Sequence, residues 1–540
     1  MLARLRASAG CDAAAGHEAD LLGRDVVWLF DEIGASAPLR AALAAVERRH
    51  RARPPAGAPG AVIVDLTATG HRASGGDVFT LDDDDRRDPV LARRLTTKKT
   101  VLLWQDIPEN TFSGVCASAV GAYIVGGASA IAVVANQHVT ARAILRRVRD
   151  EVADPADVTL VSGHMRPIDR ADAEARLLPR IAAGHRRRGR DVRPIVVVGT
   201  QCLEAGPDFD FDALVSEGAS LDALRQRFGR LNRLGELAAA PGAIVMRTRA
   251  LADDPVYGVA ARETAAWLAA QEHIDFAPAR MQEPERALLA RLVTRPSDQR
   301  PSGDGPSAAE VRVVWRRDLD ESLIELAGRP QGAEDAWGAR ARRVVQESLT
   351  ALPPSPPELM RLPLAAVRCW LLGLPEVAVT DLEGVPASNQ DGGKATRNRP
   401  VVRWRDGVSE TVRAADLAAG DVIIVPPSYG GVVEGNWDAT SAASVADRAE
   451  ESAFATHGTA VLRLHYSILK TAGIIEAPLP SPTLPDELVV GAWLERVKPR
   501  AGSWVGAMLE RLQAARGRWH IRRVSAVSGA DTYIISADPS

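Results

Sequence analysis

Four short runs of aliphatic and β-branched residues, each stopping abruptly at polar residues, constrain this chain more than any other feature. They are Val26–Phe30 before Asp31-Glu32, Ala61–Val64 before Asp65, Ala130–Val134 before Asn136, and Ile195–Val198 before Gly199-Thr200-Gln201. Short apolar runs separated by helical stretches, here Pro38–Arg49 and Val139–Arg147, are the pattern of buried parallel strands. The pattern predicts an α/β fold. In such sheets ligands bind outside the carboxyl ends of the strands, so the polar residues that close each run are where a site is expected.

Composition narrows the class without choosing a function. The chain has 540 residues, 25% charged and 46% hydrophobic, enough for three or four domains of about 100–200 residues each. A formal net charge of −3 gives no global positive field for nucleic acid. Of 66 Lys+Arg only five are lysines (Lys98, Lys99, Lys394, Lys470, Lys498). Arginine's fork suits bidentate phosphate contacts, and a GC-rich coding bias explains the excess equally well. Cys11, Cys116, Cys202 and Cys369 are far apart and form no CxxC pair, which argues against a disulfide scaffold or a cysteine zinc site. The N-terminus has arginines but no apolar h-region, so it does not read as a signal peptide. The uncharged stretch from Thr111 to Val139, interrupted by Gly126-Gly127, reads as a small-residue helix followed by a buried strand rather than a membrane span. A soluble, cytoplasmic protein with no membrane partner is expected.

Along the chain, the charged stretch Asp82–Asp88 is expected to be a linker or solvated loop between two α/β units. Strand–helix alternation fades after Gly242, and residues 255–292 look mainly helical. Arg295–Ser307 is expected to be a loop, and Pro353–Pro357 marks a boundary. From Val401 the pattern turns to β, in Val401–Trp404, Gly420–Val425 and Tyr429-Gly430-Gly431.

The most specific segment is Thr200–Asp208 followed by Gln226–Arg233, the latter of the form QxxGRxxR. On a helix, Gln226, Arg230 and Arg233 sit at i, i+4 and i+7, so all three project from one face. Two arginines and an amide there could hold a polyphosphate bidentately. Gly206 would let backbone approach the ligand, and Asp208 could accept from a ribose hydroxyl.

At these residues the chain resembles a superfamily 2 helicase. Asp31-Glu32 resembles motif II, Thr67-Ala68-Thr69 motif III, Asn136 motif IV, Thr200–Asp208 motif V and Gln226–Arg233 motif VI, in that order. Ser162–Arg170, Asp210–Val215, Asp254–Gly258, Val313–Leu319 and the C-terminal Gly420–Pro427 and Tyr429–Gly431 narrow the resemblance. They are similar to the CRISPR-associated helicase–nuclease of type I systems, nearest to subtype I-U (I-G).

The resemblance implies two RecA-like lobes, the first partial and the second complete, followed by helical and small β-rich accessory regions. Residues 1–85 would be the C-terminal part of lobe 1, 96–250 lobe 2, 251–350 a helical linker region and 351–540 an accessory domain. It implies ATP and Mg²⁺ as cofactors. Asp31 would hold Mg²⁺ through water, Glu32 would position the attacking water, and Arg230 and Arg233 would be arginine fingers on the γ-phosphate. Gly206, Asp208, Gln226 and Gly229 would bind nucleotide. Thr67, Thr69, Asn136 and Thr200 would couple it to single-stranded DNA. A crRNA-guided surveillance complex would be the partner, and the function DNA translocation and unwinding during CRISPR interference, an antiviral defence.

Departures accompany the matches. No GxxxxGK[ST] phosphate loop occurs in the sequence. Motif II reads Asp31-Glu32-Ile33-Gly34, and His164 stands where the subtype would carry arginine. None of the ten histidines is followed by Asp, so the family's HD nuclease is expected beyond residue 540. The chain therefore reads as a helicase portion truncated at both ends. The alternatives are a generic superfamily 2 helicase on DNA or RNA, and a non-catalytic nucleic-acid-binding remnant gripping through the arginines between Arg166 and Arg193.

Overall fold

The structure, a computed structural model, describes residues 27–31, 62–66, 81–151, 158–188, 193–204, 208–247, 256–281, 284, 286–292, 309–330, 335–376, 395–465, 486–498, 504–515, 518–524 and 532–537. Strands β1 (Val27–Asp31) and β2 (Val62–Leu66) pair in parallel, with Asp31 opposite Leu66. The chain therefore leaves both strands side by side at their carboxyl ends. Glu32, Thr67 and Thr69 lie outside the described residues, as does the expected helix Pro38–Arg49.

The next α/β unit runs through β3 (Lys98–Ile107), helix α1 (Glu109–Val125), β4 (Ala130–Val134), α2 (His138–Glu151), β5 (Val158–Val161) and α3 (Pro167–Ile181). It continues with β6 (Ile195–Gly199), β7 (Ala213–Glu217), α4 (Leu221–Gly229), β8 (Ala239–Arg247) and α5 (Gly258–Ala269). The six strands form one parallel sheet in the order β3-β8-β7-β4-β6-β5. Every residue of β4, β6 and β7 is buried. Alternation explains why: Ala130, Ala132 and Val134 pack with α3 and α4, whereas Ile131 and Val133 pack with α1 and α2. A sheet covered on both faces needs strands apolar at every position, which is the signal the sequence carried. The uncharged stretch divides into α1 and β4 as expected, and among the described residues no helix is long and apolar enough to cross a membrane.

Two expectations need correcting. Asp83–Arg87 is a short helix, not a loop, because Asp82 caps the amides of Asp84 and Asp85 and Asp85 returns a carboxylate to the Asp82 amide. Pro353–Pro357 does not divide a helical linker region ending at 350 from an accessory domain starting at 351. A single mixed sheet spans it, built from β9 (Glu310–Trp315), β10 (Met360–Pro363), β11 (Val401–Arg405), β12 (Val408–Val412) and β13 (Val422–Val425). β9 lies between β10 and β13, so residues on both sides of the proline run share one core. Pairing partners distant in sequence decided this, and local composition could not show it.

A hairpin of β14 (Gly431–Val433) and β15 (Asn436–Asp438) fastens this sheet to the parallel one. The Asn436 amide donates to the Leu160 carbonyl at 3.1 Å and its Oδ1 accepts from Ser162 Oγ at 3.0 Å. Trp437 N donates to the His164 carbonyl at 3.0 Å, and Arg142 pairs with Asp438 at 2.7 Å. Gly435, at φ +79°, sits where a Cβ would come within 2.7 Å of the Asp169 Cβ. The segment Ser162–Arg170 is thus the seat of this hairpin. Beyond it, helix α6 (Ala449–His457) leads into β16 (Ala460–His465), which forms an antiparallel sheet in the order β16-β18-β17 with β17 (Trp519–Val524) and β18 (Thr532–Ala537).

Candidate functional site

The carboxyl ends of β4, β6 and β7 are adjacent, and the chain crosses from one side of β4 to the other between β6 and β7. That reversal opens the crevice in which doubly wound sheets hold ligands. Asn136 follows β4, Thr200 follows β6, and Glu217 ends β7.

Arg227, on α4, ties these ends together. Its Nε donates to Glu204 Oε1 at 2.8 Å, and Nη1 donates to Ser216 Oγ and the Glu217 carbonyl, both at 3.0 Å. Nη2 donates to Asn136 Oδ1 at 3.0 Å and to the Tyr257 hydroxyl at 3.1 Å. These five bonds match the five N–H groups of a guanidinium. Tyr257 also donates to Glu204 at 3.2 Å and lies under the guanidinium at 5.6 Å. Burial opposes charge on Arg227, yet Tyr257 and Glu204 raise its pKa above the ordinary arginine value. Burial pushes the Glu204 carboxyl up, with Arg227 pulling against it. Desolvation and the Glu204 charge together raise the Tyr257 phenol well above its usual range.

The network extends outward. Asn136 N donates to Glu217 Oε2 at 2.8 Å, and Glu217 pairs with Arg247, which also reaches Glu109 at 2.8 Å. Gln201 Nε2 donates to the Asn136 carbonyl at 2.8 Å. Asn136, Gln201, Glu204, Glu217 and Arg227 are therefore one hydrogen-bonded body.

Arg230 and Arg233 stand apart from that body in a different way than the sequence suggested. Helix α4 ends at Gly229. Arg230 is its C-cap, and Asn232 adopts φ +43°, held by two hydrogen bonds to the Leu237 backbone at 2.9 and 3.1 Å. The expected one-face helix through Gln226, Arg230 and Arg233 is thus broken, because the left-handed turn at Asn232 redirects Arg233. Both arginines nonetheless converge on the loop after β6. Arg230 Nη2 donates to the Glu204 carbonyl at 2.8 Å, and Arg233 pairs with Asp208 at 2.8 Å. The Arg233 side chain is 37% exposed and that of Asp208 70%, so this cation is reachable from solvent.

Lys99, on β3, lies beneath the same turn and donates to the Phe228 carbonyl at the end of α4, at 2.8 Å. Burial pulls its pKa down to about 8, with Asp210 opposing and Arg233 adding to the depression.

Several sequence-picked residues take other places than expected. Asn136 and Thr200 are fully buried, and the Asn136 side chain is spent on Gly218 and Arg227. Both positions therefore shape the crevice from within. Gln226 and Gly229 lie on the last turn of α4, half-buried. Asp31 ends β1, and its side chain, like Glu32, Thr67, Thr69 and Gly206, lies outside the described residues. Of the arginines between 166 and 193, offered as a grip on nucleic acid, Arg166 and Arg186 are engaged inside the protein. Arg166 bonds Asp169 at 2.5 Å and the Ala446 carbonyl at 2.7 Å, and Arg186 pairs with Asp210 at 2.7 Å and Asp212 at 2.6 Å. Sequence reading missed Arg227, Glu204 as its partner, and Tyr257. The available signal was a charged residue inside an apolar helix face, between Leu224 and Phe228.

Residues 127–236 match the family model described as the C-terminal part of the CRISPR-associated nuclease/helicase Cas3. A curated relative, the CRISPR-associated nuclease/helicase Cas3 of Methanothermobacter thermautotrophicus, is 40% identical over 48 residues, 9% of this chain and 6% of that one. Among solved structures, Cas3-AMPPNP of T. fusca is 17% identical at a TM-score of 0.37, covering 63% of this chain and 41% of that one. The DEAH/RHA helicase HrpB of Escherichia coli is 13% identical at a TM-score of 0.30, covering 65% and 44%. The chain spans less than half the length of either structure. The family-model match covers residues 127–236, from the start of β4 to just past Arg233.

Proposed function

We propose, on the premise that this chain is Cas3-like through its second lobe, that it is the helicase portion of a CRISPR-associated, ATP-dependent DNA helicase. The observation that carries the reading is the convergence of Arg230 on the Glu204 carbonyl and of Arg233 on Asp208, with Arg227 bracing Glu204 from behind. Charged donors fixed on a rigid body and facing a crevice are what stabilising a transferring phosphoryl group requires.

The donor set suits a nucleotide triphosphate. Arg233 is paired with a carboxylate that is itself mostly exposed, so an incoming phosphate can take Asp208's place at low desolvation cost. Arg230 is oriented through Nε and Nη2 by the Glu204 carbonyl oxygen. Asp31, which ends β1 opposite Leu66 of β2, would hold Mg²⁺ through water, Glu32 would position the attacking water, and Thr67 and Thr69 would couple the nucleotide to DNA. Asn136 and Thr200 would act from beneath, passing nucleotide state to single-stranded DNA through the Arg227 body. Gly206, Asp208, Gln226 and Gly229 would form the rim of the nucleotide site.

No GxxxxGK[ST] loop is present in the 540 residues. Turnover is therefore assigned to a complete site that includes such a loop, and nucleotide-dependent gripping of DNA to this chain. A crRNA-guided surveillance complex of a type I system, of the I-U (I-G) kind, is the proposed partner, and the cytoplasm the proposed location. The test is ATP-dependent binding of single-stranded DNA by the full chain. Arg233→Ala should abolish the ATP dependence while leaving the protein folded, and an unchanged dependence in that variant would sink the reading.

A further inference from the structure

The motif Tyr429-Gly430-Gly431, which the nucleotide site leaves unused, shapes a cavity of about 260 Å³ in the mixed-sheet half of the molecule. Its walls are the helix Leu364–Leu372 with the turn 373–376 that follows, the segment 397–399 and the loop 439–442. Gly430 and Gly431 adopt φ +70° and +92°. A Cβ on Gly430 would stand 2.1 Å from the Ser441 carbonyl oxygen, and Gly431 N donates to that oxygen at 3.0 Å. The two glycines therefore let the loop close against Tyr429, which a residue with a Cβ would prevent.

Two arginines line this cavity without a carboxylate to neutralise them. The exposed Arg397 makes no side-chain hydrogen bond or ion pair among the described residues. Its Nε rests against Gly373, where φ is +64° and a Cβ would come within 2.7 Å. Arg399 is held by Tyr429, whose carbonyl accepts from Nη1 at 3.0 Å and whose ring lies 4.5 Å from the guanidinium. Both partners are uncharged, so the Arg399 charge is oriented but not compensated. Burial and the Arg397 charge, opposed by Tyr429 and Glu321, lower its pKa from the ordinary arginine value. The acidic side chain lining the cavity, Glu376, is already paired with Arg142 at 2.5 Å. Trp437, in the same wall, keeps a fully buried indole N–H with no acceptor among the described residues. The polar groups left over are donors, and two of them carry positive charge.

We propose that this cavity binds a phosphoryl dianion, held by Arg397 and Arg399. Guanidinium forks match the oxygens of a phosphoryl group, and two of them balance a dianion, whereas a monocarboxylate would leave one positive charge uncompensated. The cavity is smaller than the usual range for small-ligand sites, about 300–1,000 Å³, so it takes a phosphoryl group and little more. Trp370 stands edge-on to both Tyr429 and Trp437, and all three rings are buried, which leaves no free face on which a base could stack. The group is either a free phosphate or the terminal phosphate of a nucleic acid strand, since internal backbone phosphates carry a single charge.

The test is calorimetric titration of the full chain with methyl phosphate, sulfate and acetate at about pH 5 and about pH 7.5, on either side of the second phosphate ionisation at about 6. Sulfate is a dianion at both, so its own pH dependence accounts for Glu376 and Tyr429, the other ionisable groups lining the cavity. Methyl phosphate should saturate with a Kd below about 1 mM at the higher pH and bind about tenfold more weakly at the lower, with sulfate nearly unchanged. Arg397→Ala, at an exposed position without a side-chain partner, should fold normally and weaken binding by about fivefold or more. Arg233→Ala should bind as wild type does, which separates this cavity from the crevice. Displacement of methyl phosphate by a 5′-phosphorylated oligothymidylate, and not by its 5′-hydroxyl form, would support the proposal with a strand end as the source. Displacement by neither would support it with a free phosphate as the source, and equal displacement by both would overturn it. So would no saturable binding up to about 10 mM, acetate matching methyl phosphate, a pH dependence no larger than that of sulfate, or unchanged affinity in Arg397→Ala.

Discussion

Two buried arginine networks, one in each half of the molecule, use the same chemistry to different ends. Arg463, on β16, pairs with Asp447 at 2.8 Å, Glu450 at 2.7 Å and Asp318 at 2.8 Å. Through Asp447 it links to Arg316, which also pairs with Glu358 and is equally buried. Burial would raise the Asp447 carboxyl, but Arg463 and Arg316 hold it down to about 2. That network joins the β16 sheet to the β9 sheet, and its Arg316, Arg463, Glu358, Asp447 and Glu450 are all closed off from solvent. Arg227 closes a network just as complete, but its partner Glu204 also holds Arg230, and the same loop ends at the exposed pair Asp208–Arg233. A buried arginine is therefore a joint in one place and the brace of a candidate site in the other. What separates them is the exposed carboxylate: the outer cation of the Arg463 network, Arg317, pairs with the buried Glu450, whereas Arg233 pairs with Asp208, itself 70% exposed.

The largest expected effects lie in the arginines themselves. Arg227→Ala and Arg463→Ala should each lose about 3–5 kcal/mol, because each leaves carboxylates buried without a counter-charge. Chemical denaturation measures this, and the equivalence of the two networks fails if either loss is under about 1 kcal/mol.

Lys99 gives the lobe 2 network a pH signature that the other lacks. Below pH 8 the folded protein holds a buried charged lysine, which costs stability. Between about 8 and the ordinary 10.5 the unfolded chain binds the proton that the folded one has shed. Stability should therefore rise with pH across that window, by up to about 3 kcal/mol relative to Lys99→Met. A difference between wild type and variant that stays flat from pH 8 to 10.5 contradicts the placement of Lys99.

A smaller effect is expected where the halves meet. Gly435→Ala adds a Cβ at φ +79° against Asp169. It should cost about 1–3 kcal/mol and loosen the hairpin on Ser162–Arg170, read as faster amide exchange of Trp437. Protection equal to wild type would show that the hairpin does not hold the two sheets together.

The smallest stability change belongs to the residue with the largest proposed functional one. Arg233→Ala removes a half-exposed ion pair and should shift stability by less than about 1 kcal/mol. A larger loss in the denaturation midpoint would mean that Arg233 serves the fold.

The parallel sheet was legible in the sequence because burial on both faces leaves an unbroken apolar run. Ala130–Val134 was read to the residue, and Ile195–Val198 nearly so. The mixed sheet was not, since the parallel pairing of β9 with β13 joins residues more than a hundred positions apart and no local pattern encodes it. In the candidate site, Arg230 and Arg233 were recognisable from spacing, yet their geometry was misread because the turn at Asn232 depends on hydrogen bonds to Leu237. Arg227 was missed for a related reason. Its place on an apolar face between Leu224 and Phe228 marked it as buried, but the five partners that hold it are spread over distant segments.

The most direct test is equilibrium binding of ATP to wild type, Arg233→Ala and Arg463→Ala, under conditions where denaturation curves show all three folded. The reading of lobe 2 as the arginine side of a nucleotide site predicts that Arg233→Ala weakens binding by about tenfold, or about 1.4 kcal/mol. Arg463→Ala should bind as wild type does. Equal affinity in wild type and Arg233→Ala would contradict the account, and would leave the pair Asp208–Arg233 as an ordinary surface salt bridge.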